Sequence, residues 1–199
     1  MLILARHGRT QANASHLLQG RSDNRLDEVG ERQAADIAAA LAQLDGGLDR
    51  IISSPLPRAM QTAAASAELV GIEVMIDERW SELDYGEWEA RPISEVGAEA
   101  WRHWRSDASF APPGGESLAE LNIRVAQACE AAAAEASEMN IAVFTHVSPI
   151  KAAVRWVLDV DDEISWHLHV AQAQITKIEV RGERVMLSAF NDVSHLGSV

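Results

Sequence analysis

A single cysteine, Cys129, among 199 residues excludes an internal disulfide framework and points to a reducing compartment. It lies in an Ala-rich stretch that reads as helix, where a free thiol behaves as a small buried apolar group. No apolar run is long enough to span a bilayer, and the opening one is cut at Arg6, too early for a secretion signal. A cytoplasmic protein without a membrane partner is expected. Positive charge is also scarce: 17 Lys and Arg against 30 Asp and Glu give a net charge of −13, with the basic residues scattered. A phosphate backbone would be repelled over most of such a surface, so nucleic acid is not an expected partner. A small phosphorylated ligand is compatible with this balance, because a few arginines in one pocket can reverse the local potential. Internal repeats and low-complexity linkers are absent as well.

What is present is organised around residues 1–13, MLILARHGRTQAN. Leu2, Ile3 and Leu4 predict a buried strand that delivers Arg6 and His7 to its carboxyl end, where open α/β sheets bind ligands. Gly8 permits close backbone approach, and Thr10 and Asn13 add polar groups beyond it. Residues 14–26 read as a loop, in which Gln19 and Gly20 are further candidate phosphate donors. Asp27 suits the N-cap of a helix from Glu28, and Ile51–Ser53 form a second strand, the order of a parallel sheet. That strand runs into SSPLPRAMQTA (53–63), with Pro57 in the first helical turn and Arg58 beside the helix N-terminus, a natural anion site. A third strand is expected over Ile72–Ile76.

The segment from about residue 80 to 115 holds four of the six tryptophans and ends in Pro and Gly, the pattern of a cap over a pocket. Its SELDYGEWEA stretch (81–90) offers Glu82, Asp84, Glu87 and Glu89 as carboxylates. A long helix follows from Glu116, with Leu118, Leu121, Val125 and Ala128 on one face. The strand in NIAVFTHVSPIK then repeats the opening pattern, ending in His146, with Ser148 and Pro149 expected as N-cap and first residue of the next helix through Val157. QITKIEV and ERVMLSAF close the chain as a hairpin. The whole predicts an α/β three-layer sandwich: a mostly parallel central sheet, helices on both faces, a small Trp-rich cap, and one domain over 1–199 with the cap inserted at about 80–115.

Two histidines at strand ends can bind a metal, yet here arginines and a helix N-terminus accompany them, which favours a phosphate dianion over a divalent cation. His167 and His169, two apart and without a third ligand, read as non-metal residues, and His16, His103 and His195 as surface or structural. Phosphoryl transfer to an imidazole fits the inventory. The nucleophilic nitrogen must be unprotonated, and neighbouring positive charge keeps a neutral fraction available. Arginines hold the phosphoryl oxygens, and a carboxylic acid protonates the departing alkoxide.

RHGRTQAN (6–13) resembles the RHGxTxxN signature of the histidine phosphatase superfamily, the phosphoglycerate-mutase-like proteins, and SSPLPRAMQTA resembles its second signature. The resemblance continues through GRSDNRLDEVGERQA (20–34), SELDYGEWEA, the GGES turn (114–117) and His146. It implies His7 as phosphorylated nucleophile, Arg6, Arg58 and His146 as phosphate clamp, and Glu82 as proton donor. Asn13 and Gln19 would support the phosphate, and Tyr85 would face the substrate. No metal or organic cofactor is implied for hydrolysis.

Val147, Ser148 and Lys151 depart from the family's two glycines and later arginine, Arg25-Leu26-Asp27 from its Pro-Leu-Thr, and Ala90 from a common glycine. The Val147 amide is still expected to face phosphate. The implied function is a phosphomonoesterase acting on a small phosphorylated metabolite. A phosphoglycerate-type mutase and a non-catalytic phosphate-binding or interaction module are the alternatives. The short cap favours hydrolysis, and exposed tryptophans or apolar cap residues would suit a homodimer.

Overall fold

The computed structural model describes residues 1–182 and 184–197. Six strands form one sheet in the order β3-β2-β4-β1-β5-β6, with β1 at Leu2–Arg6, β2 at Arg50–Ser53, β3 at Val74–Ile76, β4 at Ile141–Thr145, β5 at Ile175–Arg181 and β6 at Arg184–Asp192. Strands β1 to β4 are mutually parallel, whereas β5 pairs antiparallel with β1 and β6 with β5. β1 and β4 are buried at every residue, which explains why both read as continuous apolar runs instead of alternating ones.

Helices cover both faces. α2 (Glu28–Ala42) and α3 (Pro57–Val70) lie on one side, where Ile37, Leu41 and Ala63 pack on Ile3, Ile51 and Phe144. On the other, Leu121, Val125 and Cys129 of α5 (Leu118–Ala136) and Ile150 and Ala153 of α6 (Val147–Leu158) pack on Leu2, Leu4 and Val143. Burial pushes the Cys129 thiol pKa up, as expected of a packed and unreactive sulfur.

Local chemistry explains the boundaries and their departures from expectation. Asp27 caps α2 by accepting from the Val29 and Gly30 amides, and its other oxygen pairs with Arg9 Nε at 2.8 Å. A short helix α1 (Gln11–Ala14) precedes the expected loop and overlaps it only at Ala14, its start fixed by a capping box in which Thr10 and Asn13 satisfy each other. β3 begins at Val74 instead of Ile72 because Gly71, in the left-handed region, ends α3 and the Ile72 amide still donates to Ala67 O. α5 begins one residue past its N-cap Ser117, whose hydroxyl and Glu120 form a second capping box. The N-cap of α6 is His146, two residues before the expected Ser148, because its first amides are taken by a carboxylate described below. The closing hairpin is present, although Glu183, the first residue of its expected second strand, lies outside the described residues.

The segment after β3 contains three short 3-10 turns and one helix, α4 (Ala98–Ser106). Trp80 at its start is a core residue with no exposure, and its carbonyl accepts from Thr145 Oγ1 at 2.6 Å. Trp88, Trp101 and Trp104 instead cluster with Phe110 and with Trp166 from the turn after α6. The tryptophans are buried or half-buried, whereas Ile93 of the same segment is exposed. Among the described residues, no helix is long and apolar enough to cross a membrane.

The closest backbone approach lies directly behind His7. A methyl group built on Gly8 would strike the carbonyl of Gly30 in α2, and one on Gly30 would strike the carbonyl of Arg9. Both obstacles are backbone atoms that cannot swing aside. Gly30→Ala should therefore destabilise the fold by about 1–3 kcal/mol or more, as overpacking does, measured as a lowered urea midpoint. An unchanged midpoint would show that α2 can shift freely away from the Gly8 loop.

Candidate active site

The register of β1 on β4 assembles the site. Arg6 pairs with Thr145, so the next residue of each strand is a histidine, and the His7 amide donates to Thr145 O at 3.0 Å. The two imidazoles stand with centroids 5.1 Å apart and are almost wholly buried. His7 Nδ1 lies 2.7 Å from the Gly8 carbonyl, which can only accept, so Nδ1 carries the hydrogen. Nε2 is then the nitrogen with the free lone pair, and it accepts from Arg58 Nε at 3.3 Å. Burial first, then the charges of Arg58 and Arg6, hold the His7 pKa well below the usual histidine value.

Arg58 reaches this position from the first turn of α3, which Pro57 opens. Its Nη1 and Nη2 donate to the carbonyls of Ser22 and Gly20 at 2.9 and 2.7 Å. Gly20 thus contributes a carbonyl that holds Arg58, in addition to whatever its amide offers a ligand. Arg6 Nη1 donates to Val170 O at 2.7 Å, while its buried Nε has no partner among the described residues. Burial lowers both arginine pKa values to about 10, with Glu82 opposing, so both guanidiniums remain charged near neutrality.

His146 Nε2 lies 2.7 Å from Ser54 Oγ at the end of β2, and its Nδ1 is buried without a partner among the described residues. Its pKa is likewise held well below the ordinary value, first by burial and then by Arg58, His7 and Arg6.

Glu82 is the carboxylate brought to this cluster. Its Oε1 accepts from the Leu83 and Ser148 amides at 2.8 and 3.1 Å, and its Oε2 from the Val147 amide at 3.2 Å. The Val147 amide, expected to face phosphate, is therefore engaged by Glu82 at the N-terminus of α6. Glu87 is exposed, Asp84 accepts from the Gly86 amide, and Glu89 clasps the Arg58 loop by accepting from the Arg21 amide and the Ser22 hydroxyl at 2.6 and 2.5 Å. Ala90 next to it has φ 59°, the left-handed region that explains why a glycine is common there. Tyr85 lines a cavity together with Leu83, Val147 and Ser148, and burial followed by the Glu82 charge pushes its phenol pKa up.

Asn13 and Gln19 point their bonding at Thr10: its hydroxyl contacts Asn13 Oδ1 at 3.1 Å and Gln19 Oε1 at 2.9 Å. His167 and His169 are exposed, away from the cluster, and among the described residues no group of three or more His, Cys, Asp or Glu is placed to hold a metal ion.

Sequence reasoning missed three supporting residues and gave Lys151 no role. Thr62, one turn after Arg58, accepts from the Gly8 amide and donates to Arg58 O. Ser54 meets His146, and its position just past β2 was the available signal. Arg124 of α5 donates to the carbonyls of Arg79, Ser81 and Glu82 and pairs with Glu116 at 2.6 Å, fixing the irregular segment that presents Glu82. Lys151 lines the Tyr85 cavity.

This geometry has a known counterpart, since the sequence pattern of the histidine phosphatase superfamily (branch 1) matches residues 2–193. The chain belongs to the histidine phosphatase superfamily. Phosphoserine phosphatase 1 of Hydrogenobacter thermophilus is 32% identical over 200 residues, covering 98% of this chain and 94% of that one. A bifunctional protein of Mycobacterium tuberculosis is 34% identical over 181 residues, and the chain spans about half that relative's length (89% of this chain, 50% of the relative). The solved phosphoserine phosphatase mutant of Entamoeba histolytica, in complex with phosphoserine, superposes with a TM-score of 0.89 at 28% identity, covering 98% of each chain. Its match over the whole length shows that this superfamily member shares the α/β architecture and not only the motifs.

The lowered histidine pKa values carry a sign that can be measured. Unfolded His7 takes up a proton near its ordinary pKa of 6.5 while folded His7 resists it, so its contribution to stability is complete above that pH and is lost as pH falls below it. From about pH 6.5 to about pH 5.5 the loss for one such histidine is about 1 kcal/mol. His7→Gln should remove that share of the acid destabilisation, read from urea midpoints at the two pH values without phosphate. Equal losses in the two proteins would mean that His7 is protonated in the folded state.

Proposed function

We propose that this chain is a phosphomonoesterase that hydrolyses a small phosphorylated metabolite through a phosphohistidine on His7. The observation that carries the reading is the fixed tautomer of His7, whose unprotonated Nε2 faces Arg58 in a buried, positively charged pocket. Nε2 attacks phosphorus as the ester P–O bond breaks, and the Glu82 carboxyl group gives a proton to the leaving oxygen. Water then attacks the phosphohistidine and yields a proton to Glu82, releasing inorganic phosphate and restoring neutral His7.

Arg6 and Arg58 hold the phosphoryl oxygens, and the unpartnered groups at Arg6 Nε and His146 Nδ1 are donors left for them. The Leu56 amide already donates to Ser54 Oγ, so passing the serine hydrogen to His146 Nε2 places the imidazole hydrogen on Nδ1, the donor form this role needs. Asn13, Gln19 and Gly20 support the phosphate from the loop, and Val147 contributes by holding Glu82. Residues 1–199 act as one domain, with 80–115 as the insertion over the site, in the reducing cytoplasm.

His7→Ala should abolish both turnover and formation of an acid-labile phosphoenzyme while leaving the circular dichroism spectrum unchanged. Substantial turnover of a monoester by this variant would sink the assignment, and transfer of label to an acceptor alcohol instead of water would favour a mutase. Activity should also survive exhaustive chelation, since the donor set around His7 and His146 is cationic. Loss with EDTA and recovery with zinc or manganese would reassign the histidines as ligands.

Glu82→Gln should slow enzyme phosphorylation by an alkyl phosphate by about 10²–10⁴-fold and by p-nitrophenyl phosphate far less, because a poor leaving group depends on the proton. Equal slowing of both in single-turnover measurements, or the same dependence on Glu87→Gln alone, would place the proton donor elsewhere.

A further inference from the structure

A partly open cavity of about 200 Å³ is lined in part by Leu83, Val147 and Ser148, the three residues whose amides donate to the Glu82 carboxylate. Its walls are mainly aromatic and aliphatic, with Tyr85, Trp101, Trp104 and Trp166 among them, and Lys151 is the one charged residue that lines it. The rings are held by each other: Trp101 stacks on Trp104 at 5.4 Å, and Trp166 meets both edge-on at 6.4 and 5.8 Å. Such a wall is rigid and presents π-surface.

We infer that the alcohol half of the substrate is a one-ring aromatic group bearing a carboxylate, seated in this cavity with the carboxylate on Lys151. The inference rests on the phosphatase reading, which puts the leaving oxygen at Glu82 and hence the rest of the alcohol in the adjoining space. Size sets the first limit, because an apolar cavity of about 150 Å³ already takes up benzene, so this one admits a single ring with a small substituent and not a sugar phosphate chain.

Charge sets the second limit. Lys151 Nζ donates to the Ser165 carbonyl at 2.7 Å and has no other hydrogen-bond partner among the described residues, leaving donors available for a ligand. A neutral ring would expel water from the ammonium without replacing it, and a cationic group would be repelled. A carboxylate satisfies the ammonium and tolerates Glu82 nearby because Arg6 also acts on this region. The indole N–H of Trp104, buried and without an acceptor among the described residues, belongs to the same wall.

The test compares 4-carboxyphenyl phosphate with phenyl phosphate in wild type, Lys151→Met and Lys151→Arg. The ratio of kcat/KM for the two esters is taken within each enzyme and then compared between enzymes, which cancels their intrinsic reactivity. Wild type should prefer the carboxylated ester by about tenfold or more, the preference should vanish in Lys151→Met, and Lys151→Arg should restore much of it. A ratio near one in wild type, or the same ratio in Lys151→Met, overturns the inference while hydrolysis itself stands.

Binding of 4-hydroxybenzoate, the alcohol released, is measured in parallel by quenching of tryptophan fluorescence and needs no turnover. If neither ester is hydrolysed but this acid binds wild type and not Lys151→Met, the phosphatase reading falls and the site stands. Equal quenching in the two proteins overturns the site.

Discussion

The parallel pairing of β1 with β4 is the constraint on which the rest of this molecule depends. It sets Arg6 opposite Thr145, and therefore His7 beside His146, with a backbone hydrogen bond from the His7 amide closing the pair. A slip of one residue would exchange the faces that Arg6 and His7 present and separate the imidazoles. Both strands are buried at every residue, so the register is held at their ends, where the charged pair and the imidazoles lie. The close approach of Gly8 to Gly30 locks the same region from behind, tying the α2 N-terminus to the loop that follows the strand.

A chain with a net charge of −13 here buries two arginines and two neutral histidines within one pocket. Burying cations without anions is costly, and backbone carbonyls of Gly20, Ser22 and Val170 offset part of that cost by accepting from the guanidiniums. Glu82 supplies the countercharge acting on both. The arrangement is short of negative charge by design of its residues, which is the condition for drawing in a phosphate from a solvent that the outer surface presents as acidic.

The segment that follows β3 is joined to the rest of the fold by side-chain hydrogen bonds. Arg124 holds the carbonyls of residues 79, 81 and 82, so α5 determines where the Glu82 backbone runs. The Glu82 carboxylate in turn caps α6, the helix that carries Lys151, and Glu89 clasps the loop whose carbonyls hold Arg58. The proposed proton donor, the proposed clamp and the leaving-group cavity are consequently parts of one hydrogen-bonded unit.

Local pattern determined a good deal by itself. Apolar runs ending in Arg6-His7 and Thr145-His146, the Asp27 cap, the Pro57-Arg58 helix start and the apolar face of α5 depend on residues within one or two turns of each other, where periodicity and capping act. It was also sufficient to name the α/β three-layer class, while the superfamily came from the resemblance of the motifs. Among four carboxylates in ten residues, however, no periodicity singles out Glu82, and only the resemblance did. That choice, the loss of the Val147 amide to Glu82, the N-cap at His146, the bracing by Ser54 and Arg124 and the meeting of Lys151 with Trp101 and Trp166 were decided by the tertiary structure. They join segments far apart in the chain, and which of those meet follows from the insertion of β4 between β1 and β2, an order that the pattern within any one segment does not encode.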